Sequence, residues 1–373
     1  MFNMKALTIA EAINKHNNDY SNLENKFTKK YGFSINLDPF HPPIWARKSI
    51  VKSISVVIPS YNSSNSIVTC LYAIEKSSFN YKFPEKLEVI VVDDGSTDNT
   101  WDKLISQNYN LNLMLIKQKN YGQAQALNTG ISKAKGEIIV SCDSDMILSY
   151  YTLEHFSLRH SECPNALFAG FRHDTHVSDV RVDENYIKRN GPHRYPIFIA
   201  DERLNFPHKD FYSSMCISTN HYKDFRNGKK LYMPNNKEWL LPDLVFGALF
   251  SLSKNVFTQI GGYDERFKGW GCTDGFLAAK AISTGSFIIP LYCASGLHIH
   301  HKDRSNKKNS EFQNNRKKFY RFIKNDKTSH YRDYLKHAYR RIEEIKLIKH
   351  GKNNANKAAN KHRALGENIL KYN

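Results

Sequence analysis

Along residues 54–142 of the chain, apolar runs alternate with stretches of helical spacing. Residues 54–59 form a β-branched run stopped by Pro59, and residues 63–75 carry Ile67, Val68, Leu71 and Ile74 on one helical face behind a Ser/Asn-rich start. The unit repeats. Apolar runs at 87–92, 111–116 and 138–141 predict strands, and 100–105 and 124–134 predict helices. Strands without polar alternation, separated by helices, predict a parallel sheet covered on both faces. Ligands of such sheets bind beyond the carboxyl ends of the strands. Three polar clusters fall at those ends: 59–62, 93–96 and 143–145.

The pattern weakens downstream. Residues 166–171 predict a strand, after which His, Tyr, Pro and Asn dominate to about residue 240, a composition that predicts long loops. Order returns with a predicted strand at 246–252, a helical turn at 255–260, a helix at 275–283 and a last strand at 287–291, ahead of His298-Ile299-His300-His301. Residues 1–50 are polar, with a weakly amphipathic stretch at 6–13 and a proline-rich linker at Pro39, Pro42 and Pro43. Helical spacing reappears at 319–323 and 334–347, while 351–363 reads as a fraying segment. The division expected is an N-terminal extension (1–50), a central α/β domain (51–301, with halves 51–150 and 151–301) and a basic helical tail (302–373).

Composition narrows the function classes. The 373 residues are 40% hydrophobic and 13% aromatic, which excludes a disordered chain. No apolar run approaches the ~18–20 residues that span a bilayer, and the N-terminus lacks the apolar core of a signal peptide. Cys70, Cys142, Cys163, Cys216, Cys272 and Cys293 are scattered without CxxC spacing, so free thiols in a reducing, cytoplasmic location are expected. The net charge of +18 is uneven: residues 302–373 hold 21 Lys and Arg against 7 Asp and Glu. Such a tail is a candidate peripheral contact for anionic lipid at the inner face of a membrane. Nucleic acid is disfavoured, because no base-reading motif is interleaved with the charge. P-loop, GxSxG and GxGxxG patterns are absent from the sequence.

Candidate chemistry centres on Asp143-Ser144-Asp145. Two carboxylates one residue apart end an apolar run and fall on the same side of the chain beyond the sheet edge. Paired hard oxygen ligands suit Mg²⁺ or Mn²⁺, ions that usually enter a site with a substrate's phosphates. His173-Asp174-Thr175-His176 has spacing that could ligate a metal, but with no further ligand pattern it is assigned to an acceptor loop.

An ordered set of motifs over roughly residues 53–300 carries a resemblance. These are Val56-Val57-Ile58-Pro59-Ser60-Tyr61-Asn62, Val91-Val92-Asp93-Asp94-Gly95-Ser96-Thr97-Asp98 and Asn120-Tyr121-Gly122-Gln123-Ala124-Gln125-Ala126-Leu127-Asn128. Ala134-Lys135-Gly136-Glu137, Asp143-Ser144-Asp145, Gly261-Gly262-Tyr263-Asp264-Glu265 and Trp270-Gly271-Cys272-Thr273-Asp274 follow. Together they resemble the family 2 glycosyltransferases of the GT-A fold, a Rossmann-like, mostly parallel sheet flanked by helices.

The resemblance implies a nucleotide-diphosphate sugar donor, a divalent metal and an inverting transfer. Pro59 and Tyr61 would line the nucleobase pocket, and Asp94 would accept a hydrogen bond from the base, uracil in a UDP-sugar. Asn120, Gln123 and Asn128 would lie in a segment approaching the donor, with Tyr121-Gly122 standing where the family often has Arg-Gly. Asp145 would ligate the metal beside Asp143, and His298 or His300 would complete the shell, His298 being favoured. An imidazole ligand favours Mn²⁺ over Mg²⁺. Asp274 would be the catalytic base. Thr273 stands where an acidic residue is common, and it and Trp270 would meet the acceptor. That acceptor is expected to be a cell-envelope, capsular or exopolysaccharide glycan, with a peptide or protein side chain as runner-up. A non-catalytic nucleotide-sugar or glycan binding module is the rival from another class.

Overall fold

The computed structural model describes residues 6–16, 18–36, 51–194, 231–233, 237–239, 241–245, 247–299, 306–328 and 346–350. His300, Cys216, the proline-rich linker and the segments 195–230 and 351–363 lie outside them.

Two helices precede the sheet. The first, α1 (Ile9–Lys15), starts on a capping box in which Thr8 and Glu11 exchange hydrogen bonds, and α2 (Ser21–Tyr31) ends on Gly32 in the left-handed region at φ 80°. The predicted repeat follows as β1 (Ile54–Ser60), α3 (Ile67–Glu75), α4 (Ser78–Lys82), β2 (Leu87–Asp93), α5 (Thr100–Ser106), β3 (Leu113–Lys117), α6 (Gln123–Lys133) and β4 (Ile138–Cys142). Beyond it run β5 (Met146–Leu148), α7 (Thr152–Glu162), β6 (Ala166–Thr175), α8 (Glu184–Asn190), β7 (Leu231–Met233) and β8 (Lys237–Trp239). The chain continues through β9 (Leu249–Ser253), α9 (Lys254–Ile260), α10 (Thr273–Ser283), β10 (Phe287–Ile299), α11 (Asn306–Asn325) and β11 (Lys346–His350).

Among the described residues one sheet has the order β11-β3-β2-β1-β4-β9-β6-β10-β5, and β7 and β8 form a separate pair. The expected parallel core is present, since β1 pairs in parallel with both β2 and β4, and β2 with β3. The rest is mixed. β9 lies antiparallel between β4 and β6, and β5 and β11 close the two edges antiparallel to their neighbours. An apolar run buried on both faces reads the same in either direction, so the pattern could not distinguish these pairings.

Four other expectations change. β6 extends to Thr175 and α8 follows, so the expected loop region is partly ordered up to residue 194. β10 extends to Ile299, which brings His298 onto the sheet beside β6. Residues 346–350 are a strand on the β3 edge rather than the end of a helix, with Ile348 against the core; residues 334–345 lie outside the described residues. Finally, the segment before residue 51 packs into the body. Asn18 pairs with Ile288 through both its amide atoms, at 3.0 and 2.8 Å. Asn36 reaches the Pro290 carbonyl at 2.6 Å. Buried Arg159 of α7 donates to the Ile35 carbonyl at 3.0 Å and stacks on the Phe27 ring at 5.2 Å.

The basic helix α11 is equally integrated. Phe319, Phe322 and Ile323, at i, i+3 and i+4, are buried among Phe267 and Phe276. Backbone bonds from Ile9 to Asp326 and from Thr328 to Leu7, each 3.0 Å, tie both terminal segments together. No described helix is long and apolar enough to cross a membrane.

Candidate active site

The carboxyl ends of β1, β2 and β4 form one rim. At the β1 end, Tyr61 is 50% exposed, an open ring face beside Pro59. Asn62 takes a left-handed turn (φ 53°) and accepts from the amides of Thr97 and Asp98 at 2.8 and 3.3 Å, tying this rim to the β2 end. At the β2 end the two acids differ. Asp94 holds the segment leading into α6: it accepts from Gln118 Nε2 at 2.7 Å and from the amides of Tyr121 and Gly122 at 3.0 and 2.8 Å. Three of its roughly four lone-pair directions are thereby occupied. Asp93 is fully buried, burial pushes its carboxyl above the usual range, and its Oδ2 has no hydrogen-bond partner. Its neighbour in register, Ser60, likewise has a buried hydroxyl without a partner. Two such orphaned buried groups therefore stand side by side at the ends of β1 and β2. Gly95 (φ 75°) is required here, because a Cβ would sit 2.7 Å from the Asn120 amide. Asn120 itself lies exposed beside that turn.

Past β4 the chain turns through Asp143 and Asp145 into β5. Ser144 is held to Ser63 by a 2.7 Å hydroxyl contact, and Gln123 Nε2 donates to Asp143 Oδ1 at 3.4 Å. β10 delivers His298 opposite: ligand atoms of Asp143, Asp145 and His298 all lie within 4.8 Å of one another. His298 Nε2 is 3.5 Å from Asp145 Oδ2, while its Nδ1 lies 2.8 Å from Asp174 Oδ1. Asp174 sits across from His298 in the parallel β6–β10 register and is itself 3.5 Å from Arg172. A carboxylate on Nδ1 fixes the tautomer that leaves the Nε2 lone pair toward the aspartates. Burial lowers the His298 pKa, but the Asp174 hydrogen bond and the Asp145 charge outweigh it and leave it raised. Two carboxylates and an imidazole so oriented fit a divalent cation. The local His-Asp-Thr-His motif therefore contributes through Asp174, whereas exposed His176 turns to Ser178 at 2.7 Å.

Asp274, in the first turn of α10, stands beside this group. Its Oδ1 is shielded from solvent without a hydrogen-bond partner. Burial, with a further push from the Asp143 charge, raises its pKa to about 7, against a smaller opposing effect of the Tyr263 hydroxyl. Tyr263 is fully buried and bonded to Ser141 at 3.0 Å. Gly247 leaves the carboxylate its space, since a Cβ there would overlap both oxygens. The preceding loop presents Trp270, 38% exposed. Thr273 is buried, so the acceptor contact expected of it has no open surface here. Asn128 is a lock rather than a donor contact: its amide bonds Tyr263 O at 2.9 Å and its carbonyl accepts Tyr263 N at 2.8 Å. Sequence reasoning overlooked Gly247, gave Asp93 no role of its own within the Asp-Asp-Gly turn, and assigned Asp174 with its His-Asp-Thr-His motif to an acceptor loop rather than to the back of His298.

Residues 55–222 match the profile of glycosyl transferase family 2, and residues 241–302 that of the N-terminal domain of galactosyltransferase. The chain is 40% identical over 104 residues to the glycosyltransferase GlyG of Streptococcus pneumoniae, a stretch covering 27% of this chain and 33% of that protein. It is 33% identical over 100 residues to the undecaprenyl-phosphate 4-deoxy-4-formamido-L-arabinose transferase of Proteus mirabilis, covering 26% and 30%. These matches span about a third of each relative's length. Among solved structures, a mannosyltransferase from Pyrobaculum calidifontis in complex with GDP-Man and Mn²⁺ superposes with a TM-score of 0.50 at 18% identity, over 89% of this chain and 79% of that one. The family profile, the relatives and the shared α/β architecture agree with the site motifs, and the chain belongs to the family 2 glycosyltransferases of the GT-A fold.

Proposed function

We propose that the chain transfers a sugar from a UDP-sugar to a cell-envelope glycan, with inversion at the anomeric carbon and dependence on a divalent metal. The observation that carries this reading is the convergence of Asp143, Asp145 and His298 within 4.8 Å, beside a carboxyl poised at about 7 on Asp274. A cation held by those three side chains, Mn²⁺ in preference to Mg²⁺ given the imidazole, would neutralise the departing nucleoside diphosphate. Tyr61 offers a stacking face to the nucleobase. The ring N–H of the base would meet the Asp93–Asp94 pair at the β2 end, where Asp94 holds the turn and Asp93 Oδ2 lacks a partner.

Asp274 supplies the proton chemistry. As a carboxylate above about pH 7 it takes the proton of the acceptor hydroxyl while that oxygen bonds to the anomeric carbon and the bond to the diphosphate breaks. A pKa near the working pH balances the fraction of base present against its strength. Trp270 presents an aromatic face of the kind that packs on a sugar ring. The glycan acceptor is supported by a relative named poly-beta-1,6-N-acetyl-D-glucosamine synthase, from Staphylococcus epidermidis, 29% identical over 133 residues.

The experiment is turnover of a UDP-sugar panel by metal-stripped protein with and without added Mn²⁺, for the wild type and Asp145→Ala. Mn²⁺-dependent release of UDP by the wild type, lost in the variant, is expected. UDP binding without turnover of any donor would instead support a binding module, and equal turnover in EDTA would remove the metal.

A further inference from the structure

Helix α11 falls in the segment that the sequence marks only as a basic tail, yet its polar residues converge on the loop that delivers Trp270 and Asp274. That loop bends through three left-handed residues, Gly269 (φ 73°), Gly271 (φ 94°) and Cys272 (φ 65°). At the non-glycine Cys272 this conformation is strained and persists only where its surroundings impose it. The imposing groups come from α11. The Glu311 carboxylate accepts the Trp270 amide at 2.9 Å. Asn315, only 1% exposed, points Nδ2 at the carbonyls of Lys268, Trp270 and Gly271, at 3.0, 3.1 and 3.1 Å. The Phe312 ring lies 5.6 Å from that of Trp270 and fills the space a Cβ on Gly271 would need. One turn further on, Arg316 pairs with Asp243 and Phe319 packs on Phe276 of α10.

A helix that served only to cover apolar surface would need none of these polar contacts. Here α11 satisfies backbone groups that a loop of three left-handed residues cannot satisfy within itself. We propose that α11 is the acceptor-side wall of the catalytic site, with Glu311 and Asn315 as positioning residues that hold the 268–272 loop so that Trp270 and Asp274 engage one acceptor. The inference rests on the roles proposed above for those two residues. Because α10 begins at the end of the loop, any drift of the loop moves the platform and the base together.

The test compares full-length Asn315→Ala, Glu311→Ala and Glu311→Gln with the wild type by hydrogen exchange, by calorimetry with UDP and Mn²⁺, and by UDP-sugar turnover. Asn315→Ala and Glu311→Ala should raise exchange at 268–273 at least tenfold and slow turnover at least tenfold. Exchange at 138–148 and affinity for UDP with Mn²⁺ should stay within twofold. Glu311→Gln keeps an acceptor oxygen for the Trp270 amide and should resemble the wild type. Unchanged exchange at 268–273, an increase spread evenly over the sheet, or turnover unaffected by a loosened loop would each overturn the proposal. A wild type that turns over no donor would sink the proposed function, while the exchange pattern still decides whether α11 clamps the loop.

Discussion

Asp274→Asn separates the proposed base from the scaffold, because it keeps the side chain's shape and removes its charge. Holding the carboxyl at about 7 instead of its ordinary 3.8 corresponds to about 4 kcal/mol between the two protonation states. The residue is partly exposed, so about half of that, about 2 kcal/mol, is the expected cost of the charged form. The folded pKa is raised, so between about pH 4 and about pH 7 the native state keeps a proton that the unfolded chain has released. Wild-type stability therefore falls as pH rises through that window and levels off above it. Asparagine does not titrate. The variant should gain on the wild type as pH rises, melting a few degrees higher at pH 8 with a narrower gap at pH 5, both measured in EDTA so that no metal masks the effect. Transfer should fall by at least a hundredfold, and wild-type turnover should rise through about pH 7. A variant that melts below the wild type at pH 8, or a gap independent of pH, would refute the claim that this carboxylate is held at a cost. Retained transfer would refute its role as base.

Removing the carboxylate behind His298, as Asp174→Ala, should weaken Mn²⁺ binding about ten- to hundredfold by calorimetry while leaving the far-UV spectrum unchanged. Asn128→Ala strips both partners from the buried Tyr263 backbone and should cost about 2–3 kcal/mol in denaturant melts. Gly247→Ala forces a Cβ against the Asp274 carboxylate, so turnover should drop at least tenfold, with about 1–3 kcal/mol lost from overpacking in thermal melts.

Much of residues 51–150 was legible before any coordinates. Buried parallel strands announce themselves as unbroken apolar runs, and polar residues at their carboxyl ends mark the ligand rim. Asp143 and Asp145 could be named for that reason, whereas the roles expected of Tyr61 and Asp274 came from the resemblance to the glycosyltransferases. Direction and length of strands were less visible. β9 runs opposite to its neighbours with the same apolar signature, and β10 continues eight residues past its expected end. The roles of paired acids were also out of reach. Asp93 and Asp94 are adjacent and chemically identical, yet only the path of residues 118–122 determines that Asp94 is bonded to the turn and Asp93 keeps a buried oxygen without a partner.

What the sequence alone determined is the set of elements and the chemistry at their ends, because local periodicity and turn residues act over a few positions. Tertiary structure decided which distant groups meet. His298 and Asp174 lie 124 residues apart and are joined only by the β6–β10 register, and Asn315 reaches its carbonyls from a helix over 40 residues further along the chain. Such pairings depend on how whole strands and helices dock, and a one-dimensional pattern of apolar and polar residues carries no record of that docking.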